Sequence, residues 1–195
     1  MADTRLAESG RVSPQAAYSL WLLPQAGAQE QLSDMVARLS KRFGTRSFAP
    51  HVTVHVDLTR RLREVVAVAG DLARTLPAQQ WRVRGIEQSP QYYRAFYLAF
   101  DDCDAFAPLG PRSAEAFTTE AGLPPFAHLS LAYGTLDAAA KAALAREIAA
   151  ELPRTLTFDR LAVALSGQSV GIASWRTLQS FALAPATAPT SREFS

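Results

Sequence analysis

One cysteine, two lysines and three histidines in 195 residues leave little room for several kinds of chemistry. Cys103 on its own cannot form an internal disulfide, which fits a reducing compartment, and with no partnering motif it reads as a packing residue and not as a nucleophile. No stretch approaches the ~20 consecutive apolar residues that a membrane helix needs. Residues 1–14 carry scattered charges where a signal peptide would carry its apolar run. The expectation is a soluble chain in the cytoplasm with no membrane partner. The formal net charge is only +2, too small for a non-specific nucleic-acid coat. Arginine supplies 18 of the 20 basic residues; Arg60, Arg61 and Arg63 read as a solvated face in preference to a phosphate site.

The hydrophobic content, 48%, is enough to bury a full core in one domain. Residues 18–23 form an apolar stretch stopped by Pro24, and 29–43 predicts a helix with Leu32, Met35, Val36, Leu39 and Phe43 on one face. A strand through residue 51, a helix over 62–76 and a pair of strands over 81–88 and 93–100 follow, the pair turning at Ser89-Pro90-Gln91. A short helix behind Pro111, a strand through residue 128, a helix over 138–150 capped by Asp137, and strands over 156–165 and 175–184 complete the chain. Helix, strand, helix, strand, strand thus occurs twice. The predicted organisation is a single domain over 16–184 with loose tails at 1–15 and 185–195, acting as a monomer.

The repeat is written most clearly at two points. Pro50-His51-Val52-Thr53-Val54 returns 77 residues later as Ala127-His128-Leu129-Ser130-Leu131, each copy entered through a phenylalanine (Phe48, Phe126). On a strand, alternate side chains share a face, so His51 pairs with Thr53 and His128 with Ser130 while the aliphatic residues face the core. Two residues along a strand is roughly 6.6 Å, a span over which an imidazole and a hydroxyl can both reach one phosphate-sized group.

This doublet resembles the 2H phosphoesterase superfamily, and its surroundings look most like the plant-type cyclic phosphodiesterases: Tyr18 to Pro24 as their first strand, Tyr92 to Leu98 as their central aromatic strand, and His128 to Gly134 as their second motif ending in Tyr-Gly. The resemblance implies an α+β, bilobal duplication, two antiparallel sheets flanking a central cleft with helices outside. It implies that His51 and His128 are the catalytic acid and base, that Thr53 and Ser130 bind phosphate, and that Tyr133 lies at the rim to contact phosphate directly or through water. The implied reaction is hydrolysis of a small cyclic phosphate, a nucleoside 2′,3′-cyclic phosphate opened to a 2′-phosphate or ADP-ribose 1″,2″-cyclic phosphate. RNA ends, as in the related RNA 2′,5′-ligase branch, are the alternative substrate, and a module that binds phosphorylated ligands without turnover is the non-enzymatic alternative.

The chemistry suits the residues. Opening a cyclic phosphate needs one group to take a proton from water and another to give one to the departing oxygen, and imidazole's pKa near 6.5 serves either task. No cofactor or metal is called for. A zinc site of His51, His55 and His128 fails on a straight strand, because four residues separate His51 from His55 by roughly 13 Å, whereas metal bonds are ~2 Å long. His55 is expected at the cleft edge or in solvent. Tyr93 is a candidate for stacking on a nucleobase, Trp21 and Trp175 read as core or lobe-packing residues, and the loop over 166–171 lacks the pattern of a P-loop and reads as a flexible connection or a lid.

Overall fold

A computed structural model describes residues 17–101 and 103–185; the tails expected at 1–15 and 185–195 lie, apart from residue 185, outside the described residues. The elements run β1 (Tyr18–Pro24), α1 (Ala26–Phe43), β2 (Val52–Leu58), α2 (Leu62–Thr75), β3 (Gln79–Gln88), β4 (Phe96–Asp101), α3 (Leu109–Phe117), β5 (His128–Ala132), α4 (Ala138–Ile148), β6 (Thr155–Leu165) and β7 (Arg176–Ala182). The doubled order is present, with β1 ahead of it. Asp137 caps α4 as expected, its Oδ1 accepting from the Ala140 N–H at 2.7 Å. The strand expected over 93–100 begins only at Phe96, because Tyr92–Arg94 forms a 3-10 turn. That turn is tied by Ser89 Oγ donating to the Arg94 carbonyl at 2.6 Å and by the buried Lys141 Nζ donating to the Ser89 and Ala95 carbonyls at 3.0 and 3.3 Å.

The two expected sheets are one. All seven strands pair antiparallel in the order β1-β2-β5-β4-β3-β6-β7, and β1 also pairs with β6, which closes the first six strands into a barrel. The 11-residue β6 makes closure possible: its first residues pair with β3, its later ones with β7, and its other edge takes β1. Joining the halves removes strand edges that would otherwise stand open. The two seams differ. β3 meets β6 over four residue pairs, backed by Trp81 against Phe158 and Phe100, with ring centroids 4.6 and 5.3 Å apart. β2 meets β5 through a single pair, Val52 opposite Leu129.

One face of the sheet carries the main core, where Leu20, Leu22, Val52, Val54, Leu98, Leu129, Leu131, Leu161 and Val163 pack with the buried stripes of α1 and α2. The other face of β1 and β6 holds a small second cluster of Trp21, Leu23, Ala162 and Ala164, with Trp175 against it. β1 is buried along its whole length because both faces are covered.

β2 does not keep a strict alternation. Trp21 stands opposite Thr53, but Leu20 stands opposite His55, so Val54 and His55 together oppose one residue: a β-bulge, which reverses the facing of everything after it. A further irregularity follows at Asp57, at φ 60°. Gly122 caps this stretch, its carbonyl accepting from the Val56 N–H at 2.9 Å. It has φ 89°, and a Cβ there would lie 2.0 Å from the Val56 carbonyl oxygen. Gly122→Ala is therefore expected to cost at least ~2 kcal/mol through backbone strain and the clash, read as a fall in melting temperature of about 4–8 °C; an unchanged melting temperature would contradict this close approach.

Candidate active site

The register at the weaker seam assembles the site. With Val52 opposite Leu129, antiparallel pairing sets His51 across from Ser130 and Thr53 across from His128, all four on the face away from the main core. They line one cleft of about 260 Å³ together with Trp21, Tyr93, Tyr133 and Trp175. Among the described residues no Asp, Glu, Lys or Arg lines it.

The two histidines are held alike. His51 Nδ1 lies 2.7 Å from the Ala49 carbonyl and His128 Nδ1 lies 3.1 Å from the Phe126 carbonyl, in each case two residues back along the chain. A carbonyl only accepts, so each Nδ1 carries its proton and donates; in the neutral ring Nε2 is then the free lone pair. His51 is additionally stacked on Trp21, with centroids 3.8 Å apart and planes 14° off parallel, and meets Trp175 edge-on at 6.3 Å. His128 is flanked by Tyr97 and Phe126, each with its ring centroid at 5.4 Å. Burial holds both imidazoles at about 4, well below the ordinary 6.5, against the opposing pull of the carbonyl each ring donates to. The neighbouring His128 adds to the lowering at His51, and the Arg94 guanidinium adds to it at His128.

The hydroxyls differ in their commitments. Ser130 is buried and its Oγ donates to the Tyr93 carbonyl at 3.1 Å, whereas Thr53 is half-buried and lines the cleft. Tyr133, expected at the rim, is in the wall: only 4% exposed, it stacks on Phe48 with centroids 3.9 Å apart. Its phenol is pushed above the ordinary range by burial, an effect partly offset by a hydrogen bond with Ser130. Tyr93 does stand in the cleft, on the 3-10 turn and not on a strand, nearly parallel to Trp175 at 19° with centroids 6.0 Å apart.

His55 is neither at the edge nor in solvent. The bulge turns it to the opposite side from His51, where it is fully buried. Its Nδ1 lies 2.8 Å from Ser113 Oγ and its Nε2 lies 2.7 Å from the Ala121 carbonyl, so both nitrogens are occupied in joining β2 to α3 and to the segment that carries Gly122. Burial lowers its pKa, with the Ala121 bond opposing. Arg60 is likewise spent on structure, donating to the Phe117 carbonyl at 2.9 Å.

Several lining residues carry no motif. Trp21 and Trp175, read as core, form an aromatic wall of the cleft; the signal was Ser19, a polar residue alternating with Trp21 in an otherwise apolar strand. The loop over 166–171 is anchored where a free connection was expected. Gln168 N–H donates to Asp57 Oδ1 at 2.9 Å, and at Gly167, with φ 144°, a Cβ would lie 2.2 Å from that same oxygen.

A family model described as cyclic phosphodiesterase-like protein matches residues 16–191. The chain belongs to this cyclic phosphodiesterase-like family. Its fold is also that of solved structures at low identity. The apo form of LigT from E. coli is 15% identical with a TM-score of 0.57, covering 87% of this chain and 98% of that one. TT0787 from Thermus thermophilus is 16% identical with a TM-score of 0.55 over the same shares. E. coli LigT complexed with 3′-AMP is 13% identical with a TM-score of 0.56, covering 88% of this chain and 99% of that one. No curated protein matches the chain. The placement in the 2H phosphoesterase superfamily read from the paired motifs agrees with these findings.

The buried imidazoles of this cyclic phosphodiesterase-like protein give a pH dependence of known sign. Both have folded-state values of about 4 against 6.5 when unfolded, so the unfolded chain takes up protons first. Stability is expected to fall as pH drops from about 6.5 toward 4 and to gain nothing from these rings above 6.5. Titration of the imidazole proton resonances checks it: midpoints near 4 are expected for His51 and His128, and midpoints at or above 6.5 would contradict the desolvated geometry.

Proposed function

We propose that this protein is a cyclic phosphodiesterase that hydrolyses a small cyclic phosphate, a nucleoside 2′,3′-cyclic phosphate to the 2′-phosphate or ADP-ribose 1″,2″-cyclic phosphate, with His51 and His128 as its acid and base. The observation that carries the proposal is the matched pair of imidazoles in one cleft, each with Nδ1 donating to the carbonyl two residues back and each with a hydroxyl residue two ahead. A neutral ring so fixed offers its Nε2 lone pair to water; a protonated one offers an Nε2–H to the departing sugar oxygen.

The reaction follows from those two states. Water attacks phosphorus as one imidazole removes its proton, a pentavalent centre forms, and the other imidazole protonates the leaving oxygen as its bond to phosphorus breaks. Thr53 stands to hold the non-bridging oxygens on which charge builds, where fixed donors act strongly, and Ser130 joins it once its hydroxyl turns from the Tyr93 carbonyl. Both rings are neutral at pH 7, so the proton that makes one of them the acid is taken up when the phosphate anion arrives and raises that ring's pKa. The rate against pH is then set by apparent values belonging to the pair. The scale of the cleft and the nucleoside monophosphate held by E. coli LigT support a small nucleotide ligand. The proposal routes no step through a metal; His55, the remaining histidine, has both ring nitrogens engaged away from His51.

Each single substitution, His51→Ala and His128→Ala, is expected to lower kcat by about 10² or more, because each removes one proton-transfer partner. Circular dichroism would show the variants folded, and near-normal turnover in both would contradict the assignment. Activity is expected to survive EDTA; a loss reversed by added zinc would contradict it as well.

A further inference from the structure

Among the described residues the exposed large apolar side chains are Tyr92, Tyr93 and Phe126, and they belong to the aromatic groups around the cleft. Tyr93 lines it, Tyr92 meets Tyr93 edge-on with centroids 4.9 Å apart, and Phe126 lies 5.4 Å from the His128 ring. Phe126 is 41% exposed, yet its face is not bare: the Arg94 guanidinium lies over it, with Cζ 4.6 Å from the centroid. Arg94 makes no ion pair among the described residues, and its Nε is enclosed with no hydrogen-bond partner.

The position of Arg94 is built. Its N–H donates to the Gln91 carbonyl at 3.0 Å and its own carbonyl accepts from Ser89 Oγ at 2.6 Å, in the turn that Lys141 also braces. A guanidinium held over an aromatic ring has little freedom left to lose on binding, and its fork of donors matches a phosphate. Among the described residues no lysine or arginine lines the cleft itself, while the charge of Arg94 is felt at His128. A second phosphate on the substrate would meet its fixed cation here.

We infer that Arg94, lying over Phe126 beside His128, is a second anion subsite that takes a phosphate on the 5′ oxygen of the same sugar whose cyclic phosphate is opened. The inference rests on the phosphodiesterase reading and deepens it to a substrate class: cyclic phosphates that carry a further phosphate. A 5′-phosphorylated mononucleotide, a pyrophosphate-linked nucleotide and the end of an RNA share that group.

The test compares kcat/KM for adenosine 2′,3′-cyclic phosphate with that for its 5′-phosphorylated counterpart, in wild type, Arg94→Ala and Arg94→Lys. The 5′-phosphate is expected to raise kcat/KM about tenfold or more in wild type, chiefly through KM. The ratio is expected near one in Arg94→Ala and between the two in Arg94→Lys, which keeps the charge but not the planar fork of donors. A ratio near one in wild type overturns the inference without any variant having to fold, and so does a tenfold ratio that persists in Arg94→Ala. A dinucleotide ending in a cyclic phosphate and ADP-ribose 1″,2″-cyclic phosphate separate the sources: the substrate whose rate Arg94→Ala lowers most is the class served, and no loss on any of them overturns the subsite. If wild type turns over none of these, the phosphodiesterase reading itself fails. The subsite is then read by calorimetry, adenosine 2′,5′-bisphosphate being expected to bind about tenfold more tightly than adenosine 2′-monophosphate, and equal binding overturning it.

Discussion

A single residue pair, Val52 opposite Leu129, is what the site depends on. Side chains alternate along a strand, so the register of that one pair decides that both histidines and both hydroxyl residues emerge on one face, and a slip of one residue in either strand would send that strand's histidine and hydroxyl residue into the core. The pair is itself buried completely on both sides and belongs to the main core, so the packing that stabilises the fold also fixes the register of the chemistry. The broader seam between β3 and β6 pairs over four residues with Trp81 at its back, whereas the β2–β5 seam pairs over one.

Desolvation then sets the state of that cleft. Two imidazoles walled by Trp21, Tyr133 and Trp175, with no fixed charge in the lining among the described residues, are held neutral well below pH 7. Burying the rings costs the protein stability in acid, and in return leaves a pair of identically tethered lone pairs. On the proposed reading an arriving phosphate would supply the counter-charge, so that protonation of one ring is coupled to binding and no buried imidazolium has to be kept waiting. The same tethering explains why the carbonyls of Ala49 and Phe126 matter as much as the rings: they select the tautomer and the aim of Nε2.

The doublet of histidine and hydroxyl, the doubled order of elements and the helical stripes are all legible because they are periodic, and period is what a sequence displays. What stays hidden depends on departures from period. The bulge at Val54 and His55 costs the chain one residue of phase, which no pattern of polar and apolar residues in a seven-residue strand announces, and it carries His55 from the cleft side to the α3 side. The turn at Tyr92–Arg94 is concealed by its aromatics, which read as strand residues, although it is held by hydroxyl and lysine bonds to carbonyls from Ser89 and Lys141. Joining of the two sheets rests on the length of β6, whose two ends pair with different partners. Trp21 and Trp175 read as core by composition alone, which cannot say which face of a buried strand borders a cavity.

The most direct measurement is hydrolysis of adenosine 2′,3′-cyclic phosphate in ¹⁸O-labelled water, with EDTA present, followed by phosphorus NMR and mass spectrometry, for wild type beside the His51→Ala, His128→Ala double variant. Water attack at phosphorus by the two-histidine site predicts one labelled oxygen on phosphorus, a 2′-phosphate product, and neither in the double variant. Absence of product from wild type, a label found on the sugar, or the same product from the double variant would contradict the account.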